Sequence, residues 1–198
     1  MITTGRAEWA ERLKMLALHG MSHDAWKRYS DEGFKHYAVE LAGFKYNMTD
    51  IQASLGLHQL KRVEKNLRRR VEIWNRYDAA FRGLPLVTPA PPEPGTLHAR
   101  HLYTVLVDGQ TAGLGRDEFA GRLRQMNIGT GVHYIAAHLQ PYYQRTWNYQ
   151  RGDFPEAEYI SDRTLSLPLG PKMSDQDVED VIAAVRHVVQ QASSQRRK

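Results

Sequence analysis

The longest regular pattern of apolar and polar positions extends from residue 49 to about residue 81. Its apolar side chains mostly recur at steps of three and four residues, as they do on one face of an amphipathic helix. They are Ile51, Leu55, Leu60, Val63, Leu67, Val71, Trp74 and Phe81. A helix of this length would measure roughly 45–50 Å at about 1.5 Å per residue. The pattern therefore predicts one long helix that bridges two domains.

The other patterned segments are shorter. Helical spacing predicts helices over residues 7–18, 116–126, 154–163 and 174–191. Alternating or β-branched runs predict strands over residues 1–4, 102–107, 128–135 and 165–167. A few short strands combined with helices are typical of a small α+β domain.

Two segments have the composition of loops. Residues 20–46 are rich in glycine and serine and also carry Trp26, Tyr29, Phe34 and Tyr37. A loop this long with four aromatic side chains is expected to cover a site or a partner. The five prolines between residues 85 and 94 predict a stiff, extended connector.

Composition narrows the class of protein. The chain has 198 residues, a formal net charge of +5 and no cysteine, which excludes disulfides and thiolate metal sites. Since no apolar run approaches the roughly 20 residues that span a bilayer, we expect a cytoplasmic protein without a membrane partner. Six of the basic residues cluster on the long predicted helix: Lys61, Arg62, Lys65, Arg68, Arg69 and Arg70. Apolar residues interrupt this run at amphipathic spacing, so a solvated helix face is favoured over a nucleic-acid site.

Residues 43–60, GFKYNMTDIQASLGLHQL, combine a polar turn with a helix start. The Thr49 hydroxyl can accept from the backbone N–H of Gln52, and the Gln52 side chain can reach back to the Thr49 N–H. Asp50 adds a negative charge in the first turn, which the helix dipole favours. This cap would hold Tyr46 and Asn47 at a helix N-terminus, where free N–H groups attract phosphates. Asn47 could equally serve only to shape the turn.

This stretch closely resembles one in the sugar-nucleotide aminotransferases of the DegT–DnrJ–StrS family. Further segments resemble the family in the same order: residues 16–30 (LALHGMSHDAWKRYS), 128–143 (IGTGVHYIAAHLQPYY), 152–169 (GDFPEAEYISDRTLSLPL) and 173–189. The resemblance covers almost the whole chain, but only the C-terminal part of the family. It implies an α/β fold, that of fold-type-I pyridoxal-phosphate enzymes. It also implies three parts: a remnant of the large cofactor-binding domain (1–50), a long connecting helix (51–82) and a small α+β domain (83–198).

The family resemblance also implies site residues. Asn47 would reach across a homodimer interface to the phosphate of the neighbour's pyridoxal 5′-phosphate, with Tyr46 and Lys45 as weaker candidates for the same neighbourhood. His133, Tyr134 and His138 would lie near the substrate, where they could hydrogen-bond sugar or diphosphate oxygens. Structural use of at least one of the two histidines is the alternative. The five-residue spacing of the histidines matches no common metal-ligand pattern, so no metal site is expected.

The lysines of the chain lead to a further expectation. None of them stands in the Ser-containing context that precedes the family's Schiff-base lysine, so we assign no catalytic residue to this chain. We expect a fragment that is inactive alone, from an enzyme that moves an amino group, from glutamate as donor, onto a keto-sugar nucleotide. The alternative is a non-catalytic partner or regulatory subunit of a full-length aminotransferase. A third interpretation, a helical protein that binds nucleic acid, is supported only by the basic residues between 61 and 70.

Overall fold

The computed structural model describes residues 2–21 and 38–195, which combine helices with a small sheet. The chain divides into two compact units, Met1–Lys61 and Arg62–Lys198. The aromatic loop predicted within residues 20–46 falls mostly outside the described residues, as do Trp26, Tyr29, Phe34 and Tyr37.

The described residues of the first unit form two helices, α1 (Ala7–Ala17) and α2 (Asp50–Leu60), and neither helix buries a side chain. The helix predicted over residues 7–18 is confirmed. The strand predicted at residues 1–4 is wrong for the described residues 2–4, which have no regular structure. A strand needs a hydrogen-bonded neighbour, whereas the described part of this unit has only the isolated bridges Leu18–Lys45 and Met21–Val39.

The predicted long helix is interrupted. Helix α2 ends at Leu60 and α3 (Val63–Phe81) begins after Lys61 and Arg62. The backbone at Arg62 has φ −107° and ψ −2°, far from the regular helical values of about −63° and −42°, and the helix is interrupted there. The prediction of one continuous helix over residues 49–81 is therefore wrong at this point, and the division between the two units falls at the same place.

The second unit contains a three-stranded antiparallel sheet in the order β1 (Leu86–Val87), β2 (Tyr103–Val107), β3 (Thr164–Leu167). Its helices after α3 are α4 (Gly109–Ala112), α5 (Arg116–Gln125), α6 (Pro141–Trp147), α7 (Pro155–Arg163) and α8 (Asp175–Gln195). The structure confirms the predicted strands near 102–107 and 165–167 and the predicted helices near 116–126, 154–163 and 174–191. The sequence patterns did not indicate β1, α4 or α6.

The hydrophobic core of the second unit lies between the sheet and helices α3, α5 and α8. Alternate residues of β2 are buried, which matches the period of two of a strand. Tyr77 of α3 packs edge-on to Tyr103 of β2, with ring centroids 5.0 Å apart. Their hydroxyls donate to the Pro168 carbonyl at 2.8 Å and to Asp78 Oδ1 at 2.7 Å, so both buried polar groups have partners. Burial raises the pKa of both tyrosines.

An ion-pair cluster connects the polar edges of α3 and α8. Asp175 Oδ1 lies 2.8 Å from Arg69 Nη2 and 2.7 Å from Arg76 Nη1, and Arg76 also contacts Glu179 at 2.6 Å. The Arg69 guanidinium, with Arg76 beside it, holds the pKa of Asp175 below its usual range. The Arg69 side chain is therefore engaged in ion pairs within this unit and does not belong to a free basic surface.

This cluster predicts how stability depends on pH. A carboxyl group whose pKa is lowered by folding stabilises the protein above its unfolded pKa of about 4, and this contribution is lost as pH falls through the folded pKa. Thermal unfolding followed by circular dichroism should give a melting temperature that stays level from neutral pH to about pH 5 and falls below about pH 4. Asp175→Asn should lower the melting temperature at neutral pH and flatten the acid limb. Glu93→Gln, at an exposed residue of the proline-rich connector, should do neither. An acid limb that Asp175→Asn leaves unchanged would contradict the assignment.

Candidate functional site

The turn that carries Lys45, Tyr46 and Asn47 runs alongside the end of α1. The Phe44 N–H donates to the Leu16 carbonyl at 2.7 Å, and the Tyr46 N–H donates to the Ala17 carbonyl at 2.8 Å. Lys45 forms a bridge with Leu18. These backbone contacts fix the path of the turn, so the positions of its side chains do not depend on helix α2 alone.

Two glycines allow the chain to approach itself at this point. A Cβ atom added to Gly43 would come within 2.1 Å of the Gly20 nitrogen, which no side chain can tolerate. Gly20 has a φ of +70° and would meet the Leu41 carbonyl oxygen in the same way. The glycines are therefore required for the close backbone pairing that holds the turn.

The predicted cap of α2 is confirmed. The Gln52 N–H donates to Thr49 Oγ1 at 3.3 Å, and the Thr49 N–H donates to Gln52 Oε1 at 2.9 Å. This reciprocal pair ends the turn just after Asn47. Helix α2 therefore begins at a defined position, directly after Thr49.

Three potential donors project from this turn. Tyr46 is 74% exposed and stacks on Phe44 at a centroid distance of 5.0 Å, while Asn47 is half-buried. Within residues 2–21 and 38–195, the side chains of Lys45 and Asn47 make no hydrogen bond or ion pair, and neither does the Tyr46 hydroxyl. An ammonium, a hydroxyl and an amide without a partner among the described residues form a donor set suited to an anion such as a phosphate.

The second predicted site segment, residues 128–138, lies in the second unit and is not a strand. It forms only an isolated bridge between Gly131 and Ser166, so the prediction of a strand over residues 128–135 is wrong. Side-chain hydrogen bonds hold this segment instead of the backbone hydrogen bonds of a strand pair. Ser161 Oγ accepts from the Ala136 N–H at 2.8 Å, and Ser166 Oγ lies 2.7 Å from His133 Nδ1. Gly129 and Gly131 favour this irregular path, because glycine weakens strands.

His133 and Tyr134 are accessible from this segment. The Ser166 hydroxyl engages Nδ1 of His133, which leaves Nε2 of the half-buried ring for another partner. Tyr134 is 74% exposed, and its ring lies edge-on to that of His133 with centroids 4.9 Å apart. Together they present one imidazole nitrogen and one phenol hydroxyl, groups that can hydrogen-bond sugar or phosphate oxygens.

His138 has a different environment from the other two predicted substrate contacts. Its side chain is only 6% exposed, and Nε2 lies 2.9 Å from Glu158 Oε1. Glu158 also accepts from the Gly152 N–H at 2.7 Å. The Gly152 N–H and the His138 ring hold the pKa of Glu158 below its usual range. This arrangement favours structural use of His138, the alternative that the sequence left open.

Three buried polar residues that hold the segment in place were not predicted from the sequence: Glu158, Ser161 and Ser166. Ser166 lies in the fully buried strand β3 and Ser161 lies on the buried side of α7, where an unpaired hydroxyl would be costly. No group of three or more metal-ligating side chains occurs in the described part of the chain. Nor does any helix in that part have the length and apolar character needed to cross a membrane.

Comparisons with known proteins indicate a family. Residues 1–186 match the sequence profile of the DegT/DnrJ/EryC1/StrS aminotransferase family. The spore coat polysaccharide biosynthesis protein SpsC of Bacillus subtilis is 50% identical over 194 residues, which cover 97% of this chain and 50% of SpsC. Protein MJ1066 of Methanocaldococcus jannaschii is 48% identical over 190 residues, or 96% of this chain and 49% of that protein. The chain spans about half the length of these curated relatives.

Solved structures support the same fold. The aminotransferase TlmJ of Streptoalloteichus hindustanus superimposes with a TM-score of 0.77 at 32% identity, covering 96% of this chain and 47% of TlmJ. Spr1654 of Streptococcus pneumoniae, in its PMP form, superimposes with a TM-score of 0.81 at 30% identity, covering 96% and 45% of the two chains. Spr1654 is also known in a PLP form.

Proposed function

Because the chain belongs to the DegT/DnrJ/EryC1/StrS aminotransferase family, we propose that it forms part of a transferase that uses pyridoxal 5′-phosphate. In this proposal the enzyme moves an amino group, from glutamate as donor, onto a keto-sugar nucleotide. The fold class is that of fold-type-I pyridoxal-phosphate transferases. The observation that carries the proposal is the match over residues 1–186 together with the donors at residues 45–47, which have no partner within residues 2–21 and 38–195.

The residues of the turn before α2, Lys45, Tyr46 and Asn47, suit the phosphate end of the cofactor. Asn47 and Tyr46 would donate neutral hydrogen bonds to the phosphate, and Lys45 would offset its charge. We place this contact across a homodimer, with Asn47 of one subunit reaching the cofactor of the other. When bound, pyridoxal phosphate supplies the electron sink for amino-group chemistry. We place the Schiff-base lysine on polypeptide other than these 198 residues, because no lysine here stands in the expected Ser-containing context.

The segment that carries His133 and Tyr134 suits a sugar-nucleotide substrate. His133 Nε2 and the Tyr134 hydroxyl would hydrogen-bond sugar or diphosphate oxygens of the substrate. Ser166 would act as a positioning residue, since its hydroxyl sets the orientation of the His133 ring. We propose direct contact for these two residues and a supporting role for the buried His138.

Reconstitution with the half of SpsC that this chain does not match would test the proposal. Without that half, incubation with pyridoxal phosphate and borohydride should trap no stoichiometric adduct at a single lysine, because no lysine is held against the cofactor. With the SpsC half co-expressed, mass spectrometry should find the adduct on a lysine of that half, and amino transfer should be measurable.

Two outcomes would contradict the proposal. A stoichiometric adduct at one lysine of the 198-residue chain alone would show that the chain needs no complement. Binding to full-length SpsC that changes its rate, without any activity in the reconstituted halves, would instead favour the non-catalytic partner subunit.

A further inference from the structure

A cleft in the second unit is lined by the C-terminal end of α3 and by the proline-rich connector. Its volume is about 380 Å³, and residues within 86–92 and Arg100 line it together with the residues of α3. Pockets that hold small molecules measure about 300–1,000 Å³ and combine mostly apolar walls with a few polar groups. We call this space the connector cleft, and its polar side chains are those of Asp78, Arg82, Thr88 and Arg100.

We propose that the connector cleft binds a small molecule that carries an oxyanion group, a phosphate or a carboxylate, together with a hydroxyl or ammonium group. The guanidinium groups of Arg82 and Arg100 bind the oxyanion, and Asp78 accepts a hydrogen bond from the donor of the ligand. This site goes beyond the proposed function, because it assigns a ligand to residues that the proposed function leaves unused.

Arg100 is held in position without using its hydrogen-bond donors. Its Cζ lies 4.4 Å from the centroid of the Trp74 ring, and Trp74 itself is buried. A guanidinium that stacks on a ring uses its face, whereas its N–H donors lie in its plane. Within residues 2–21 and 38–195, this guanidinium makes no hydrogen bond or ion pair. Arg100 therefore offers oriented donors, the arrangement that binds a phosphate or carboxylate through two hydrogen bonds.

The backbone at Arg100 is also unusual. Its φ of +47° lies in the left-handed region, which residues with a Cβ atom rarely adopt. The Arg100 N–H donates to Nδ1 of His98 at 3.0 Å, and the His98 ring lies 5.7 Å from the ring of Trp74. Costly backbone conformations persist where neighbouring contacts enforce them, and they cluster at ligand sites. This conformation and its contacts accompany a guanidinium that lies over Trp74 and lines the cleft.

The charges that line the connector cleft do not cancel. Arg82 lies four residues after Asp78, where the backbone leaves the helix with φ −55° and ψ 126°, and it has no ion pair in the described part of the chain. Asp78 Oδ1 accepts from the Tyr103 hydroxyl, which leaves Oδ2 for another donor. Two guanidinium groups and one carboxylate give the lining a net positive charge. An anionic ligand that also carries a donor matches this combination.

A stiff wall lowers the cost of binding. Pro89, Pro91 and Pro92 line the cleft, and the ring of each proline fixes its φ at about −65°. A wall that is already rigid loses little conformational freedom when a ligand is bound.

The connector cleft is separate from the segment that we assign to the substrate. Leu86 lines the cleft and belongs to β1, which forms one edge of the sheet. Gly131, two residues before His133, bridges to Ser166 of β3 at the opposite edge. A ligand in the cleft therefore occupies a different side of the second unit from the His133–Tyr134 segment.

Binding of glycerol 3-phosphate and of glycerate to the 198-residue chain would test this inference, because the two ligands share hydroxyl groups and differ in the anion. Titration calorimetry should detect binding of at least one, and the tighter ligand identifies the group as a phosphate or a carboxylate. Glycerol, which lacks the anion, should not bind. Arg82→Gln and Arg100→Gln should each weaken binding by about tenfold or more, because a hydrogen bond to a charged group is lost.

Matched variants distinguish the cleft from a general effect of positive charge. Arg145→Gln removes an arginine of α6 that does not line the cleft and has no ion pair within residues 2–21 and 38–195, so the affinity should not change. Arg82→Gln leaves the contact between Arg100 and Trp74 in place. It should therefore lower the affinity without lowering the melting temperature, and it decides the test if Arg100→Gln fails to fold.

Several results would overturn the inference. They are failure of both anions to bind the folded chain, equal affinity for glycerol, and an equal loss of affinity in Arg145→Gln and Arg82→Gln. If Arg100 only covers Trp74, Arg100→Gln should lower the melting temperature and Arg82→Gln should leave the affinity unchanged. None of these measurements involves pyridoxal phosphate, so the proposed function is tested separately by the reconstitution experiment.

Discussion

Replacing Phe119 with alanine should destabilise the unit Arg62–Lys198 by about 3–5 kcal/mol. Phe119 is fully buried on α5, within the cluster that includes Tyr103 of β2 and Val185 of α8. Truncation removes most of the apolar area of the ring and leaves a cavity that the sheet and helices cannot close, because they are held by one another.

Denaturant unfolding would measure the loss, with the matched variant Phe44→Ala as control. Phe44 is 53% exposed in the first unit, where neither α1 nor α2 buries a side chain. Its loss should change the free energy of unfolding of the second unit by no more than about 0.5 kcal/mol. Equal effects of the two substitutions would contradict the location of the core.

Asn47→Ala should weaken binding of pyridoxal phosphate to the reconstituted protein by about ten- to a hundredfold. The Asn47 amide has no hydrogen-bond partner in the described chain, and a confirmed cap begins two residues after it. Loss of one hydrogen bond to a charged phosphate costs roughly 1.5–3 kcal/mol. The cofactor dissociation constant should rise while the melting temperature of the apoprotein stays the same.

A second variant separates phosphate binding from turn formation. Thr49→Ala removes the hydroxyl that accepts from Gln52, so it should lower stability by about 0.5–2 kcal/mol. If Asn47 only shapes the turn, Asn47→Ala should behave in the same way, with lower stability and an unchanged dissociation constant. That result would mean that the phosphate contact has been misassigned.

Whether a feature could be predicted from the sequence depends on how far apart the interacting residues lie along the chain. The cap at Thr49 and Gln52 could be predicted because both partners lie within one turn of each other. Strand β2 could be predicted because its buried residues alternate along the chain itself. The prediction of a continuous helix over residues 49–81 was wrong because the apolar spacing persists across Lys61 and Arg62, where α2 has ended and α3 has not yet begun.

The segment around His133 depends instead on contacts between residues that are far apart in the sequence. Its apolar and β-branched residues have the composition of a strand, yet Ser161 and Ser166 hold it by side-chain hydrogen bonds instead. His133 and Ser166 are 33 positions apart in the chain. No local pattern indicates which residue at that distance will become a neighbour.

The sequence by itself determined the family resemblance, the capped turn at residues 45–49 and most helices and strands, since these depend on residue identities and on contacts within a few positions. Only the tertiary structure decided which polar groups are available. It buried His138 against Glu158 and left His133 and Tyr134 accessible. Burial and side-chain pairing depend on elements that are distant in the chain and meet only when the core forms, so the tertiary contacts decide which predicted site residues can reach a ligand.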